Sequence, residues 1–294
     1  MMPFLRLAVL MRPIRREMLI GLALAVVASL ANFGLLFLSG WLLADAAVAG
    51  LGGIVAQNAF NIFLPAVGVR FFATVRILTR YLERVVTHDT TLRFIGRVRA
   101  WSFDRLAPQA PAVQAQQRSG DMLFRFVSDT DRMGQFYLEV MLPFAAAAIC
   151  CVVYVGITGL FSLSAALVLA ASLLLCGIII PLITAKLSAP AIAQISLQQD
   201  IMHADLTEIL QGMGEFMFLG AADGVQKHIA DQQTNIRLYR QKVLLLEGGA
   251  RFLNAIIGTL SAVAMLVLAA HAYHAGTLSA ACLPMLALGG ACCV

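Results

Sequence analysis

The stretch PAVGVRFFATVRILTRYLERVVTHDTTLRFIGRVRAWSFDRLAP, residues 65 to 108, decides how this chain is read. Between its two prolines only Gly68 and Gly96 weaken helix formation, so one continuous helix is allowed throughout. At about 1.5 Å per residue such a helix is roughly 63 Å long, about twice the hydrocarbon thickness of a bilayer. It must leave the membrane. Its first part is apolar (Ala66, Val67, Val69, Phe71, Phe72), whereas its later part carries Arg80, Glu83, Arg84, His88, Asp89, Arg93, Arg97 and Arg99. The sequence therefore predicts a membrane helix that continues into water as a stalk.

Composition agrees with a membrane protein. Hydrophobic residues make up 60% of the chain, charged residues 13%, and the mean hydropathy is +0.85. All 21 Lys and Arg fall within residues 6 to 16, 70 to 132 and 186 to 251, which the positive-inside rule assigns to the cytoplasm. The net charge of +5 thus reports topology, and no nucleic-acid partner is needed to explain it. Six cysteines (Cys150, Cys151, Cys176, Cys282, Cys292, Cys293) sit in apolar runs without zinc-finger spacing and read as small buried residues.

Working outward from the long helix, residues 1 to 16 pair Phe4, Leu5, Leu7 and Leu10 with Arg6, Arg12, Arg15 and Arg16. That pattern suits an amphipathic elbow on an anionic lipid surface, or simply a stop-transfer flank. The transmembrane domain is expected over residues 17 to 294, all-α, with spans at about 18 to 44, 55 to 80, 136 to 157, 163 to 185, 250 to 270 and 278 to 294. The sixth span reads as truncated. Long cytoplasmic helical hairpins follow the second and fourth spans, turning near residues 108 to 120 and 220 to 224. The N-terminus is expected to stay inside. No strand-type alternation and no short repeat competes with this reading.

At the hairpins a family pattern emerges. Arg118-Ser119-Gly120-Asp121-Met122-Leu123-Phe124-Arg125 followed by Asp129-Thr130-Asp131 resembles the segment after the first coupling helix of ABC exporters. Glu208-Ile209-Leu210-Gln211-Gly212 with Phe218-Leu219-Gly220-Ala221-Ala222-Asp223 is similar to the segment around the second. More narrowly, Leu38-Ser39-Gly40-Trp41, Phe60-Asn61, Leu64-Pro65-Ala66, Gly68-Val69-Arg70 and Arg80-Tyr81-Leu82-Glu83-Arg84 with His88-Asp89 resemble CydC subunits of CydDC transporters. The resemblance implies the type IV ABC exporter fold and a heterodimer with a CydD-type sister in the bacterial inner membrane. It also implies ATP-driven transport needed for cytochrome bd assembly, read either as export of cysteine and glutathione or as binding and movement of haem. Members of that family continue into a nucleotide-binding domain. Here Lys186, Lys227 and Lys242 are followed by Leu, His and Val, so the 294 residues hold no Gly-Lys-Ser/Thr phosphate loop. ATP would be bound by a domain outside them, the sequence reading as a membrane-domain fragment that is not itself an enzyme.

Arg80, Arg84 and His88 recur every four residues along one helical face, with Tyr81 beside them. A neutral imidazole can ligate iron and guanidinium groups can pair with propionates, so this set could contact haem b, with His88 on the metal. The plainer reading is a solvated basic stalk; the resemblance shifts the balance toward haem. Asn32, Asn61, Arg70 and Arg76 are candidates for a substrate cavity. Arg70 would lie near the inner interface or, if its span starts at Phe60, at mid-membrane, where a lone Arg costs about 2.5–3.5 kcal/mol unless it faces a wet cavity. Gln117, Gly220, Ala221 and Asp223 are expected to couple the membrane part to a motor. His271 and His274 near an outer turn read as wetted rather than as metal ligands. Two other readings compete: an exporter half for some other small or lipidic substrate, and a membrane electron-transfer or sensor protein holding haem permanently. The last lacks a second intramembrane His to face His88.

Overall fold

The computed structural model describes residues 14–106, 136–276 and 279–293. Most of the amphipathic elbow, the first hairpin tip with Gln117, and the Arg118 to Asp131 motif lie outside the described residues. Among the described residues all regular structure is helical, with no strand.

Helix α1 (Arg15–Leu51) is proline-free and apolar, and runs past the end expected at residue 44, through Gly50. Gly52 ends it, its N–H bonding to Val48 O at 3.1 Å, and Gly53 reverses the backbone at φ +82°. A short α2 (Gly53–Ala59) follows, then an irregular segment at 60–62, then α3 (Phe63–Leu106). The second span, expected to start at about residue 55 or as late as Phe60, begins as helix α3 at Phe63, after the irregular segment. Asn61 explains the restart: its side-chain Oδ1 accepts the Phe63 N–H at 3.0 Å, as a capping residue does. Pro65 requires it, since proline fits a first helical turn, where no N–H partner is missed, and would clash with a preceding turn. From Phe63 onward α3 is continuous, as the sequence predicted.

After a π-helical turn (Tyr137–Met141) come α4 (Leu142–Phe161) and α5 (Leu163–Leu174), a second π turn (Leu175–Ile179), and α6 (Ile180–Gln211). The short α7 (Met213–Phe218), the 53-residue α8 (Ala222–His274) and α9 (Cys282–Cys293) complete the order. Among the described residues four helical segments are long and apolar enough to cross a membrane: Arg15–Leu51, Glu139–Phe161, Leu163–Gln211 and Asp223–His274. Helix α3 is not one of them, because its restart leaves Arg70, Arg76 and Arg80 in its first 18 residues. Helix α9 has 12 residues and falls short by length.

The chain divides into two compact units, residues 1–173 with 258–294, and residues 174–257. In the first, α1 and α3 pack antiparallel. Glu17 meets Arg93 at 3.6 Å near one end, and Asn32 meets Arg76 at 2.7 Å farther along. Small residues on α1 (Gly21, Ala25, Ala28, Ala31) are buried and permit close helix packing. Phe33 stacks on Tyr154 of α4 at 4.5 Å and on Phe37 at 5.2 Å, over fully buried Leu169, Met265 and Leu286. Gly40 lets α9 approach: a Cβ there would lie 2.9 Å from the Pro284 carbonyl oxygen. A buried Ser261 Oγ donates to Ser172 Oγ at 3.2 Å, and Thr87, Thr90 and Thr91 satisfy their hydroxyls on carbonyls four residues back.

In the second unit α6 and α8 form a hairpin. Asp205 Oδ2 on α6 accepts hydrogen bonds from Gln232 Nε2 at 2.5 Å and pairs with His228 Nε2 at 3.2 Å, both on α8. The turn between α7 and α8 is closed by Gly220 at φ +64° and by the Ala221 N–H donating to Phe216 O at 2.9 Å.

Candidate functional site

The first unit holds a cavity of about 770 Å³ walled mainly by three helices, with one residue from a fourth. Helix α1 contributes Ala25, Ala28, Ser29 and Asn32, at the three-and-four spacing of one helical face. Helix α3 contributes Arg76, Arg80, Glu83, Arg84 and Thr87, again one face, spanning roughly 16 Å of helix axis. Helix α4 contributes Leu142, Pro143, Ala146, Ala147, Cys150, Cys151 and Tyr154, and Leu173 of α5 completes the lining.

The arginines form a ladder with rungs about 6 Å apart, one per helical turn. Arg76 is fixed by donating from Nη1 to Asn32 Oδ1 across the α1–α3 interface. Arg80 lies 3.5 Å from Glu83, a loose pair by the standard of a charge-assisted hydrogen bond, which closes to about 2.7–2.9 Å. Among the described lining residues, three guanidinium groups face one carboxylate. Such a wall attracts anions, and bidentate guanidinium geometry suits carboxylates in particular.

Of the residues singled out from the sequence, Asn32, Arg76, Arg80 and Arg84 are brought together here. Asn61 and Arg70 are not among the lining residues: Asn61 caps α3, and Arg70 is exposed on that helix. Tyr81 is 67% exposed and His88 is exposed one turn beyond Arg84; neither lines the cavity. The face explains this. Each residue step turns a helix by about 100°, so the set 76, 80, 83, 84 and 87 stays in line with the cavity while positions 81 and 88 rotate off it. Asp89, beside His88, bonds Arg93 at 2.8 Å. That hydrogen bond, then the charges of Asp89 and Glu17, hold the Arg93 guanidinium above its ordinary pKa. Gly220 and Ala221 form the turn in the second unit, with Asp223 in the first turn of α8.

Sequence reasoning missed Glu83, Ser29, Cys150, Cys151 and Tyr154 as lining residues. The four-residue recurrence of Leu142, Ala146, Cys150 and Tyr154 was the available signal for the α4 wall. Cys150 is buried as expected of a small apolar-run cysteine, whereas Cys151, Cys176 and Cys282 are half-buried; all four are free. Among the described residues no group of three or more His, Cys, Asp or Glu is placed to hold a metal ion.

Residues 18–286 match the family described as ABC transporter transmembrane region. The chain belongs to that family. Its all-helical fold with an α6–α8 hairpin agrees with an ABC exporter transmembrane domain. Among its relatives is the "Glutathione/L-cysteine transport system ATP-binding/permease protein CydC" of Escherichia coli K12. It is 33% identical over 251 residues, covering 85% of this chain and 43% of that protein. The protein of the same name in Haemophilus influenzae is 38% identical over 147 residues, 50% of this chain and 24% of that one. The corresponding CydD of Bacillus subtilis is 28% identical over 186 residues, 63% of this chain and 31% of that one. The chain thus spans less than half the length of the relatives it matches. As a CydC-like ABC transmembrane region it is a membrane transporter component of an ATP-driven family.

Proposed function

We propose that this chain is the membrane part of a CydDC-type exporter subunit, and that the arginine-lined cavity receives the carboxylates of a small thiol such as glutathione or cysteine. The observation that carries the reading is the ladder of Arg76, Arg80 and Arg84 along one wall, with Arg76 anchored by Asn32. Charges placed among apolar helices are costly to keep and mark substrate paths when they face a cavity. The relatives' names, glutathione and L-cysteine transport, point to cargo with the matching carboxylate groups.

In this reading the chain pairs with a CydD-type sister in the bacterial inner membrane, N-terminus in the cytoplasm, in contact with membrane lipid. Nucleotide-binding domains bind ATP, and the complex serves cytochrome bd assembly. The segregation of Lys and Arg into three segments supports the orientation. Alternating access would be driven from the hairpin tips. At the second tip Phe218 and Leu219 are 91% and 75% exposed beside the Gly220 turn, an apolar surface on which a motor domain can seat.

A second reading concerns haem, as cargo or regulator. The side chains suit it in kind: Arg80 and Arg84 line the cavity and could pair with propionates, and the exposed imidazole of His88 follows one turn on and could hold the iron. Iron would supply the spectroscopic and redox chemistry.

Uptake of glutathione into inside-out vesicles carrying the full-length heterodimer tests the first reading, comparing the native complex with Arg84→Ala. Loss of ATP-dependent uptake, with assembly intact by gel filtration, is expected; unchanged uptake overturns the ladder as a substrate site. Haem titration of the same complexes, native and His88→Ala, tests the second. A Soret shift present in the native protein and absent from the variant supports His88 as ligand; identical spectra refute it.

A further inference from the structure

The arginine ladder by itself would favour any dianion. One lining side chain opposes that preference: Glu83, on the same wall between Arg80 and Arg84. Its side chain is only 15% exposed, yet it borders the cavity, whereas the Arg80 side chain 3.5 Å away is 63% exposed. A carboxylate kept merely to hold Arg80 would be expected to close on it and form a short bond. This one stays loose, and the same wall carries guanidiniums one residue and seven residues away.

Resting on the reading of the cavity as a small-thiol site, we infer that Glu83 is the specificity-determining residue, receiving the free ammonium group of a peptide-like substrate while the arginines take its carboxylates. The physical ground is charge pairing at short range. A carboxylate facing a cavity repels a plain dianion and attracts a cation, and the sum over the wall selects a molecule that carries an ammonium together with one or more carboxylates. Rungs about 6 Å apart along roughly 16 Å of helix give room for separate carboxylates, with Glu83 presenting the opposite charge between them. The thiol is then not the principal recognised group; the charges are. The cavity accordingly takes amino-acid-like or short γ-linked or α-linked peptide anions with a free amine, and disfavours the same molecules once that amine is acylated.

The test uses the full-length heterodimer in inside-out vesicles with ATP and compares glutathione, N-acetylglutathione, and the tripeptide in which the thiol-bearing residue is replaced by 2-aminobutyrate. In the native complex the acetylated compound should be taken up less efficiently by on the order of tenfold to a hundredfold, the worth of one hydrogen bond to a charged group. The thiol-free tripeptide should be taken up within about threefold of glutathione. In Glu83→Gln the preference for the free amine should fall to within about twofold, and in Glu83→Asp much of it should return. A merely structural Glu83 would lower uptake of both compounds together and leave their ratio unchanged, which overturns the proposal. Equal uptake of the free and acetylated compounds by the native complex overturns it without any variant, should the variants fail to assemble. No ATP-dependent uptake of any of the three by an assembled, ATP-hydrolysing native complex refutes instead the small-thiol reading on which the proposal rests.

Discussion

Asn32 and Arg76 are coupled across the α1–α3 interface, and a double-mutant cycle measures by how much. Arg76 Nη1 donates to Asn32 Oδ1 at 2.7 Å, a short bond from a permanently charged donor. Hydrogen bonds to charged groups contribute about 1.5–3 kcal/mol when sheltered. Here the arginine is exposed in the single chain, so the coupling is reduced by solvent to about 1 kcal/mol. Asn32→Ala, Arg76→Ala and the double variant should therefore show an interaction term of about 1 kcal/mol in reversible detergent-denaturant unfolding of the purified complex. The control pair is Asn32→Ala with Glu17→Ala, whose partner Arg93 lies roughly 25 Å farther along α3 and whose effect should simply add. An Asn32–Arg76 term below about 0.3 kcal/mol would show that the two helices do not meet in this register, and with it the cavity wall would fall.

Three further outcomes are expected. Gly40→Val would drive a side chain into the Pro284 carbonyl, and should destabilise the α1–α9 contact by about 1–3 kcal/mol, read as a lowered midpoint of thermal unfolding in detergent; an unchanged midpoint would contradict that packing. Gly220→Val places a β-branched residue at φ +64° and should strain the α7–α8 turn by about 1–2 kcal/mol, read as faster limited proteolysis near residue 220; Gly220→Asn should be milder. In the α6–α8 hairpin, the hydrogen bond from Gln232, then that from His228, holds the Asp205 carboxyl below its ordinary value of 3.8. A depressed carboxyl contributes stability above the unfolded value, lost as pH falls through the folded one. Acid titration of hairpin protection by amide exchange should therefore show loss below about pH 4 that Asp205→Asn lacks.

How much was legible in advance differs between fold and site. The continuity of α3, the absence of strands among the described residues and the family itself were written in hydropathy, proline placement and short motifs, all local properties of the chain. The restart at Phe63 was legible too, in Asn61 and Pro65, but hydropathy outweighed those punctuation marks and drew the second span through them. Arg76, Arg80 and Arg84 could be seen to share a face because helical periodicity fixes their mutual angles. Periodicity does not fix which angle meets a neighbour.

That choice belonged to the packing of α1 on α3, where Gly21 lies against Thr87 and Gly34 against Phe72; positions 76, 80, 83, 84 and 87 line the cavity beside α4, whereas Tyr81 and His88 do not. The sequence by itself therefore determined a helical membrane transporter domain with a cationic helix face, since both follow from local composition and spacing. Only the tertiary structure decided that Asn32 holds Arg76, that Glu83 borders the cavity, and that Cys150 and Tyr154 complete it. Those relations join helices far apart in the chain, and only close packing sets their distances.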